Sequence, residues 1–402
     1  MRSTRALGRR RTTRIVVSTA LACVAGWVVT PAAVVASAVS RSPDTAGLHV
    51  FRLNGRPFGV TTAIHVLVVD GSRYRVGIAL AHHALAGGVQ TPRAMCRATR
   101  GCVASVNADY FAVSRPGQRD PGDEVGAIVR DCRLLHTPEF SHQQANLESH
   151  TLTQNFDWSD SIDVHGVTVP VTAINQELPV SYADVHLALS GTLLYTPPYA
   201  LPPPSTPGRV TYEFALVGAD SATRINARAL LELVGTTRRP RRVLPGEVDV
   251  SAPPDSALSS LHLGQEVSTT TRSSAGCDSI GGHPILLDRG VAVPVAPADT
   301  YMAAPYARTV IGWTASGRTV LVAVDGRDGV SGATAPQLVR VLRALHVVTA
   351  LDLDGGDSTT LYVDGRTLTH SSRGRERPVS TALVVVPTAP RWSRASSRGV
   401  GP

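Results

Sequence analysis

Asp354, Gly355, Gly356, Asp357 and Ser358 follow directly on an apolar run that begins at Val347. Two acids, two glycines and a hydroxyl are more than a hairpin turn needs. Two other apolar runs end in a similar way, one in Asn107 and Asp109, the other in Asp325-Gly326-Arg327. Carboxylates are seldom set at the end of an apolar strand unless they are paired or functional. Such groups can move protons or attack an electrophilic carbon. Glycines beside them let a ligand approach the backbone closely. Residues two apart in a strand share a face, so Asn107 pairs with Asp109 and Asp352 with Asp354 if strand geometry lasts that far. A plain turn competes with this reading at every Asp-Gly, and Asp70-Gly71 and Asp364-Gly365 are read as turns only.

Arginines complement the acids. Arg308 opens a strand, Arg327 follows an Asp-Gly, and Arg377 lies in Glu376-Arg377-Pro378. A guanidinium can hold a phosphate through two parallel hydrogen bonds. Each of the three could equally be a surface arginine or half of a salt bridge.

The elements that would position these groups read as follows. Runs at 63–70 and 73–80, separated by Gly71-Ser72, form an expected hairpin. Thr91-Pro92 opens a short helix to about residue 100, with threonine as cap and proline in the first turn. A buried strand at 102–106, a loop at 114–124 and a strand at 125–130 come next. The section 149–275 is less regular and reads as short strands, such as 185–189 and 212–217, and long loops, with a proline-rich stretch at 197–207. Strand pairs then follow at 284–287 with 291–295 and at 308–313 with 319–324. A helix over 335–345 is capped by Thr334 and carries Leu338, Leu342 and Leu345 on one face. Strands at 347–354, 358–363 and 379–386 complete an α+β class of strand-rich mixed sheets with a few packed helices.

Before this domain, assigned to 39–387, stands a segment of another kind. Six arginines precede an apolar run at 15–29, and Ala36-Ser37-Ala38 offers a small-residue cleavage site, so 1–38 reads as a signal peptide. The rival reading is an uncleaved anchor. Cys23, inside the apolar run, lacks a convincing lipid-attachment box. The net charge is +8, and residues 1–38 hold six arginines and no acid, which leaves +2 for the rest. No clustered basic face remains to support a nucleic-acid partner. Export makes the last four cysteines, Cys96, Cys102, Cys132 and Cys277, candidates for two disulfides. Three pairings are possible. Cys96 with Cys102 is the local one, which leaves Cys132 with Cys277. A zinc site is the weaker alternative, for no cysteine pair has its spacing. Residues 388–402 are polar and basic and read as a disordered tail.

With the motifs in view, a resemblance emerges. Asn107-Ala108-Asp109-Tyr110-Phe111 is similar to an Asn-Gly-Gly-Phe-Phe motif of the phosphodiester glycosidase family. In order along the chain, Gly281-Gly282-His283-Pro284-Ile285-Leu286, Arg308-Thr309-Val310-Ile311-Gly312, Val324-Asp325-Gly326-Arg327, Leu353-Asp354-Gly355-Gly356-Asp357-Ser358-Thr359-Thr360 and Glu376-Arg377-Pro378-Val379 resemble further motifs of that family. The resemblance covers about residues 100–387. It departs at Asp357, where a third glycine is usual, and at Ala108-Asp109, where the family has two glycines. Extra acids beside a phosphate would repel it unless an arginine or a metal intervenes.

The resemblance implies an exported bacterial hydrolase that cuts the anomeric carbon–oxygen bond of sugar-1-phosphodiesters, with a carbohydrate phosphodiester as its partner and no membrane span after signal cleavage. Asp354 is the first candidate for the attacking or water-activating carboxylate, Asp325 the second, and Glu376 the acid/base. Arg308, Arg327 and Arg377 form the expected anion clamp. Asn107, Asp109, His283, Gly355, Gly356, Asp357 and Ser358 complete the expected substrate contacts. No cofactor is required; a divalent cation near Asp352, Asp354 and Asp357 has no calcium-loop spacing behind it. Two alternatives stand beside this reading. One is a hydrolase with Ser358 as nucleophile, served by His283 or His346. The other is a glycan-binding protein of the same fold that has lost catalysis.

Overall fold

The computed structural model describes residues 40–41, 46–112, 122–139, 143–176, 180–182, 185–187, 191–205, 207–296, 298–371 and 374–388. The expected signal segment, most of the 114–124 loop and the tail past residue 388 lie outside the described residues.

The six residues Thr319–Val324 are all buried, and this strand lies inside an eight-stranded sheet. The order is Ser40–Arg41, Leu48–Asn54, Ala63–Val69, Thr319–Val324, Arg308–Thr314, Val347–Asp352, Ile285–Asp288 and Val291–Ala292. A strand buried on both faces reads as a continuous apolar run, as Val320 to Val324 does. One face is covered by the helix Ala335–Ala344, whose Leu338, Val341 and Leu342 pack with Ile64, Val66, Val310 and Val322. Thr334 begins that helix as expected, and its backbone N–H donates to Gln337 Oε1 at 2.8 Å. The other face meets a five-stranded sheet through Leu67, Ile311, Leu321 and Leu351 against Leu80, Val106 and Leu383.

This second sheet runs Arg366–Thr367, Leu361–Val363, Ala104–Asn107, Thr381–Pro387, Tyr74–Leu80. The helix Pro92–Ala98 packs on it through Met95. Thr91 Oγ1 accepts from Ala94 N at 3.2 Å, so the cap lies where the sequence placed it. The expected 63–80 hairpin is corrected here. A turn at Asp70 does join the runs, but they enter different sheets. Both edges of Ala63–Val69 are taken, by Leu48–Asn54 and Thr319–Val324, so Tyr74–Leu80 pairs with Thr381–Pro387 instead.

The section 149–275 is more regular than its sequence suggests. Seven of its strands close a barrel in the order Trp158–Val164, Val167–Ile174, Thr192–Tyr195, Glu247–Ala252, Val210–Val217, Ala227–Thr237, Glu266–Ser273. A smaller five-stranded sheet lies beside it, made of Arg133–His136, Ile128–Arg130, Ser279–Gly282, Gln143–Asn146 and Thr151–Thr153. Two disulfides are present, Cys96–Cys102 and Cys132–Cys277. The second joins chain positions 145 apart, at either end of the barrel section. The whole is a strand-rich α+β fold. Among the described residues no helix is long and apolar enough to cross a membrane.

Candidate active site

Thr319–Val324 and Val347–Asp352 run in the same direction on either side of Arg308–Thr314. Asp325 and Asp354 therefore leave the same end of the large sheet, about two strand spacings or roughly 10 Å apart. The strand ends at Asp352, so Asp352 and Asp354 do not share a face as the sequence pattern allowed. Asp352 is fully buried, whereas Asp354 is half-buried on the connection that crosses to the second sheet.

Asn107 holds that crossing in place. Its Nδ2 donates to Asp354 O at 2.6 Å, and its Oδ1 accepts from Thr309 Oγ1 at 2.7 Å and Thr360 N at 3.1 Å. A buried amide bonded to three chain segments is a brace. This corrects its expected role as a sugar or phosphate contact.

Gly355 and Gly356 also serve packing. A Cβ on Gly355 would collide with Tyr301 Oη and lie 2.6 Å from Ala307 O. Gly356 has φ +58°, and a Cβ there would lie 3.0 Å from Asp328 Oδ1. The space that the sequence reserved for a ligand is filled by the protein's own chain. Asp357 and Ser358 are buried in the short turn Gly356–Ser358.

Around Asp354 the side chains converge. Ser358 is hydrogen-bonded to it, and Arg377 and Asp109 act on it through their charges. Arg377 Nη1 donates to Ser358 Oγ at 3.1 Å and its guanidinium lies 5.4 Å from the Phe111 ring centre. Burial pushes the Asp354 carboxyl up to about 7, the Asp109 charge adds to the rise, and Ser358 and Arg377 oppose it. Asp109 is buried, with Oδ1 accepting from Tyr110 N at 2.8 Å. Glu124 stands nearby, because the bridge between Phe111 and Glu124 folds the two segments together. Burial, then the charge of Asp109, holds the Glu124 carboxyl well above its usual range. The sequence pattern did not single out Glu124, which sits at the end of a loop; an acid just before the apolar run 125–130 is the signal available.

Arg308 is corrected outright. It is fully buried, and Nε donates to Ala333 O at 3.1 Å. Nη2 donates to Tyr301 O at 2.6 Å and Ala304 O at 3.2 Å, while Nη1 meets Met302 Sδ and Asp352 Oδ2. Tyr301 covers the guanidinium at 4.2 Å. Nothing is left over for an anion. Asp352, its partner, is pushed up to about 8, chiefly by burial.

Glu376 is corrected in the same way. Oε1 accepts from Arg93 N at 2.9 Å, in the first turn of Pro92–Ala98, and Oε2 accepts from Thr367 Oγ1 at 3.2 Å. It satisfies a helix terminus rather than facing Asp354. Arg327 is exposed in the turn after Asp325. His283 is exposed too, with Nε2 3.0 Å from Asp299 Oδ2, and its backbone O accepts from Tyr110 Oη at 2.9 Å.

Asp325 belongs to another group. Its Oδ2 lies 3.1 Å from both His65 Nε2 and His370 Nδ1, and Oδ1 accepts from His370 N at 2.9 Å. Burial raises its carboxyl, but the two histidines outweigh burial and hold it below the usual value. His65 was passed over because it sits within an apolar run and looks like core; His370, in a polar loop, gives no signal at all.

Residues 248–386 match the family model described as phosphodiester glycosidase. The matched stretch holds Asp325, Asp352, Asp354, Ser358 and Arg377, and it supports a glycosidase-type hydrolase. Asn107, Asp109 and Glu124 lie before it. Two solved structures share the fold. One is a hypothetical protein from Synechocystis, with TM-score 0.65 and 20% identity over 87% of this chain. This chain spans 64% of that one. The other is an exported protein of Burkholderia pseudomallei, with TM-score 0.61, 21% identity, and coverage of 81% of this chain and 74% of that one. The catalytic domain of zebrafish N-acetylglucosamine-1-phosphodiester alpha-N-acetylglucosaminidase is more remote, with TM-score 0.39 and 15% identity over 86% of this chain and 81% of that one. No curated protein matches the sequence.

Proposed function

We propose that this protein is a secreted glycosidase that hydrolyses the anomeric carbon–oxygen bond of sugar-1-phosphodiesters. The observation that carries the reading is the environment of Asp354: a half-buried carboxyl raised to about 7, bonded to Ser358 and faced by Arg377 and a second acid, Asp109. The family match over 248–386 supports the bond type.

In the proposed reaction, ionised Asp354 takes a proton from water as the water oxygen bonds to the anomeric carbon. The bond from that carbon to the phosphodiester oxygen breaks, and its electron pair leaves with the phosphate. The leaving group is a phosphate monoester, whose second pKa near 6 makes it a stable anion, so a positive charge helps more than a strong acid. Arg377 supplies that charge. Glycosidases of this logic use two carboxyl groups, and Asp109 takes the second place, for which Glu376 was expected. Burial raises the carboxyls of Glu124 and, to about 7, of Asp354, which weakens the repulsion that ionised acids would exert on the phosphate.

Ser358 as nucleophile has little support. Ser358 is buried and already bonded to Arg377 Nη1 and Asp354, and neither histidine expected to serve it is among these partners. Export is supported by the two disulfides, which persist in oxidising compartments. A panel of sugar-1-phosphodiesters tests the function. Free sugar with a phosphomonoester supports it; sugar-1-phosphate as product, or no product from any member, contradicts it.

A further inference from the structure

We propose that His65, Asp325 and His370 form a divalent transition-metal site of the zinc type, with three protein ligands and an open position. The three donor atoms, His65 Nε2, Asp325 Oδ2 and His370 Nδ1, lie within 4.8 Å of one another. Each imidazole nitrogen is 3.1 Å from the same carboxylate oxygen. A metal bonded at about 2.0–2.1 Å to such atoms in tetrahedral geometry sets its ligand atoms roughly 3.3 Å apart. Each imidazole therefore needs to move only a few tenths of an ångström relative to the Asp325 oxygen, and the two imidazole nitrogens lie within 4.8 Å of each other.

The ligands are held before any metal arrives. His65 is buried on Ala63–Val69, where it pairs with Ala323 and Arg52 of the flanking strands. Asp325 is fixed through its backbone on both sides: its N–H donates to Ala63 O at 2.9 Å and its carbonyl accepts from Thr62 Oγ1 at 2.5 Å. Its second oxygen, Oδ1, accepts from His370 N, the kind of support that orients a carboxylate ligand. His370 is the exposed member, with its side chain 80% exposed.

Solvent reaches the donors from two sides. Asp325 lines a cavity of about 470 Å³ with Arg52, Thr61 and Thr62. His370 lines another of about 340 Å³ with Arg93, Thr359, Thr360 and Arg375. An accessible three-ligand site is the form in which a metal keeps a place for water or an anionic oxygen. Two imidazoles with one carboxylate suit zinc or cobalt, whereas magnesium and calcium take all-oxygen sets. The site is separate from Asp354 and stands whether or not the glycosidase reading holds.

Untagged full-length chain, stripped with chelator, is titrated with Zn²⁺ by calorimetry and with Co²⁺ by visible absorption. One metal per chain is expected, with the strong visible bands of four-coordinate Co²⁺ and no binding of Mg²⁺ under the same conditions. Asp325→Asn and His65→Gln should weaken binding at least tenfold. His370→Ala, on an exposed side chain, should do the same while leaving the urea midpoint in place. Absence of Zn²⁺ binding by the wild type, or equal affinity in Asp325→Asn and His370→Ala, overturns the proposal.

Discussion

The guanidinium of Arg308 lies 3.4 Å from the carboxylate of Asp352, and neither side chain reaches solvent. An arginine at the start of a strand looks like an anion clamp in sequence. In the fold it is a buried strut between the large sheet and the segment 301–304. Asp352 can go neutral when Arg308 is removed, but the buried carbonyls of Ala333, Tyr301 and Ala304 lose their donor, at roughly 1–3 kcal/mol for a buried group left unsatisfied. Arg308→Met should lower stability by that order in urea unfolding. A variant as stable as wild type, with a raised KM alone, would return Arg308 to the substrate.

Asp354→Asn should reduce kcat by about a thousandfold or more, within the range a general base and its neighbours supply. The urea midpoint should change little, since the amide is close to the carboxyl in size and Asn107 holds the backbone. Turnover equal to wild type would remove Asp354 from the mechanism.

Because Asp354 must be ionised to act as base, kcat/KM should rise with pH through an apparent pKa of about 7. The Asp109 charge raises that value and the Arg377 charge lowers it. Asp109→Asn should therefore move the rising limb to lower pH, and Arg377→Gln to higher pH. Shifts in the reverse directions, or a profile unmoved by both changes, would show that another group controls the limb.

The parts of the site that were legible in the sequence are those fixed by local chemistry. The ends of the apolar runs at 107, 325 and 352 lie at strand ends, the caps at Thr91 and Thr334 hold, and of the three pairings open to the last four cysteines the one favoured by a short spacing is the one formed. Direction is what the sequence withheld. Asn107 and Arg308 point into the protein, and Glu376 turns to a helix end, because tertiary neighbours decide where a polar side chain finds its hydrogen bonds. The barrel was hidden for a similar reason: strands such as Glu266–Ser273 bury serine and threonine, so their inward face does not read as apolar.

Glu376→Gln separates cap from catalyst. An amide oxygen can still accept from Arg93 N, so activity should stay within a few-fold of wild type. Glu376→Ala should cost about 1 kcal/mol of stability through the lost cap. A drop in kcat of a hundredfold for Glu376→Gln, measured on folded protein, would restore the acid/base role.

Asp160 gives a test of the barrel away from the candidate site. It is buried, accepts from Thr269 Oγ1 at 2.8 Å and Thr271 Oγ1 at 2.5 Å, and is pushed up to about 7 by burial. The folded state thus binds a proton that the unfolded chain, with a pKa near 3.9, has already released. Stability from this group is full below about pH 4 and is lost as pH rises toward 7. Asp160→Asn should flatten the decline in unfolding free energy between pH 5 and 7 by about 1.4 kcal/mol per pH unit. Identical slopes for the two proteins would mean that Asp160 is ionised in the fold.

The central claim is that the bond broken lies between the anomeric carbon and oxygen. Turnover of a sugar-1-phosphodiester in ¹⁸O-labelled water, followed by mass spectrometry of both products, tests it most directly. The label should appear in the free sugar and be absent from the phosphomonoester. Label in a phosphate group, with sugar-1-phosphate released, would mean attack at phosphorus and contradict the account.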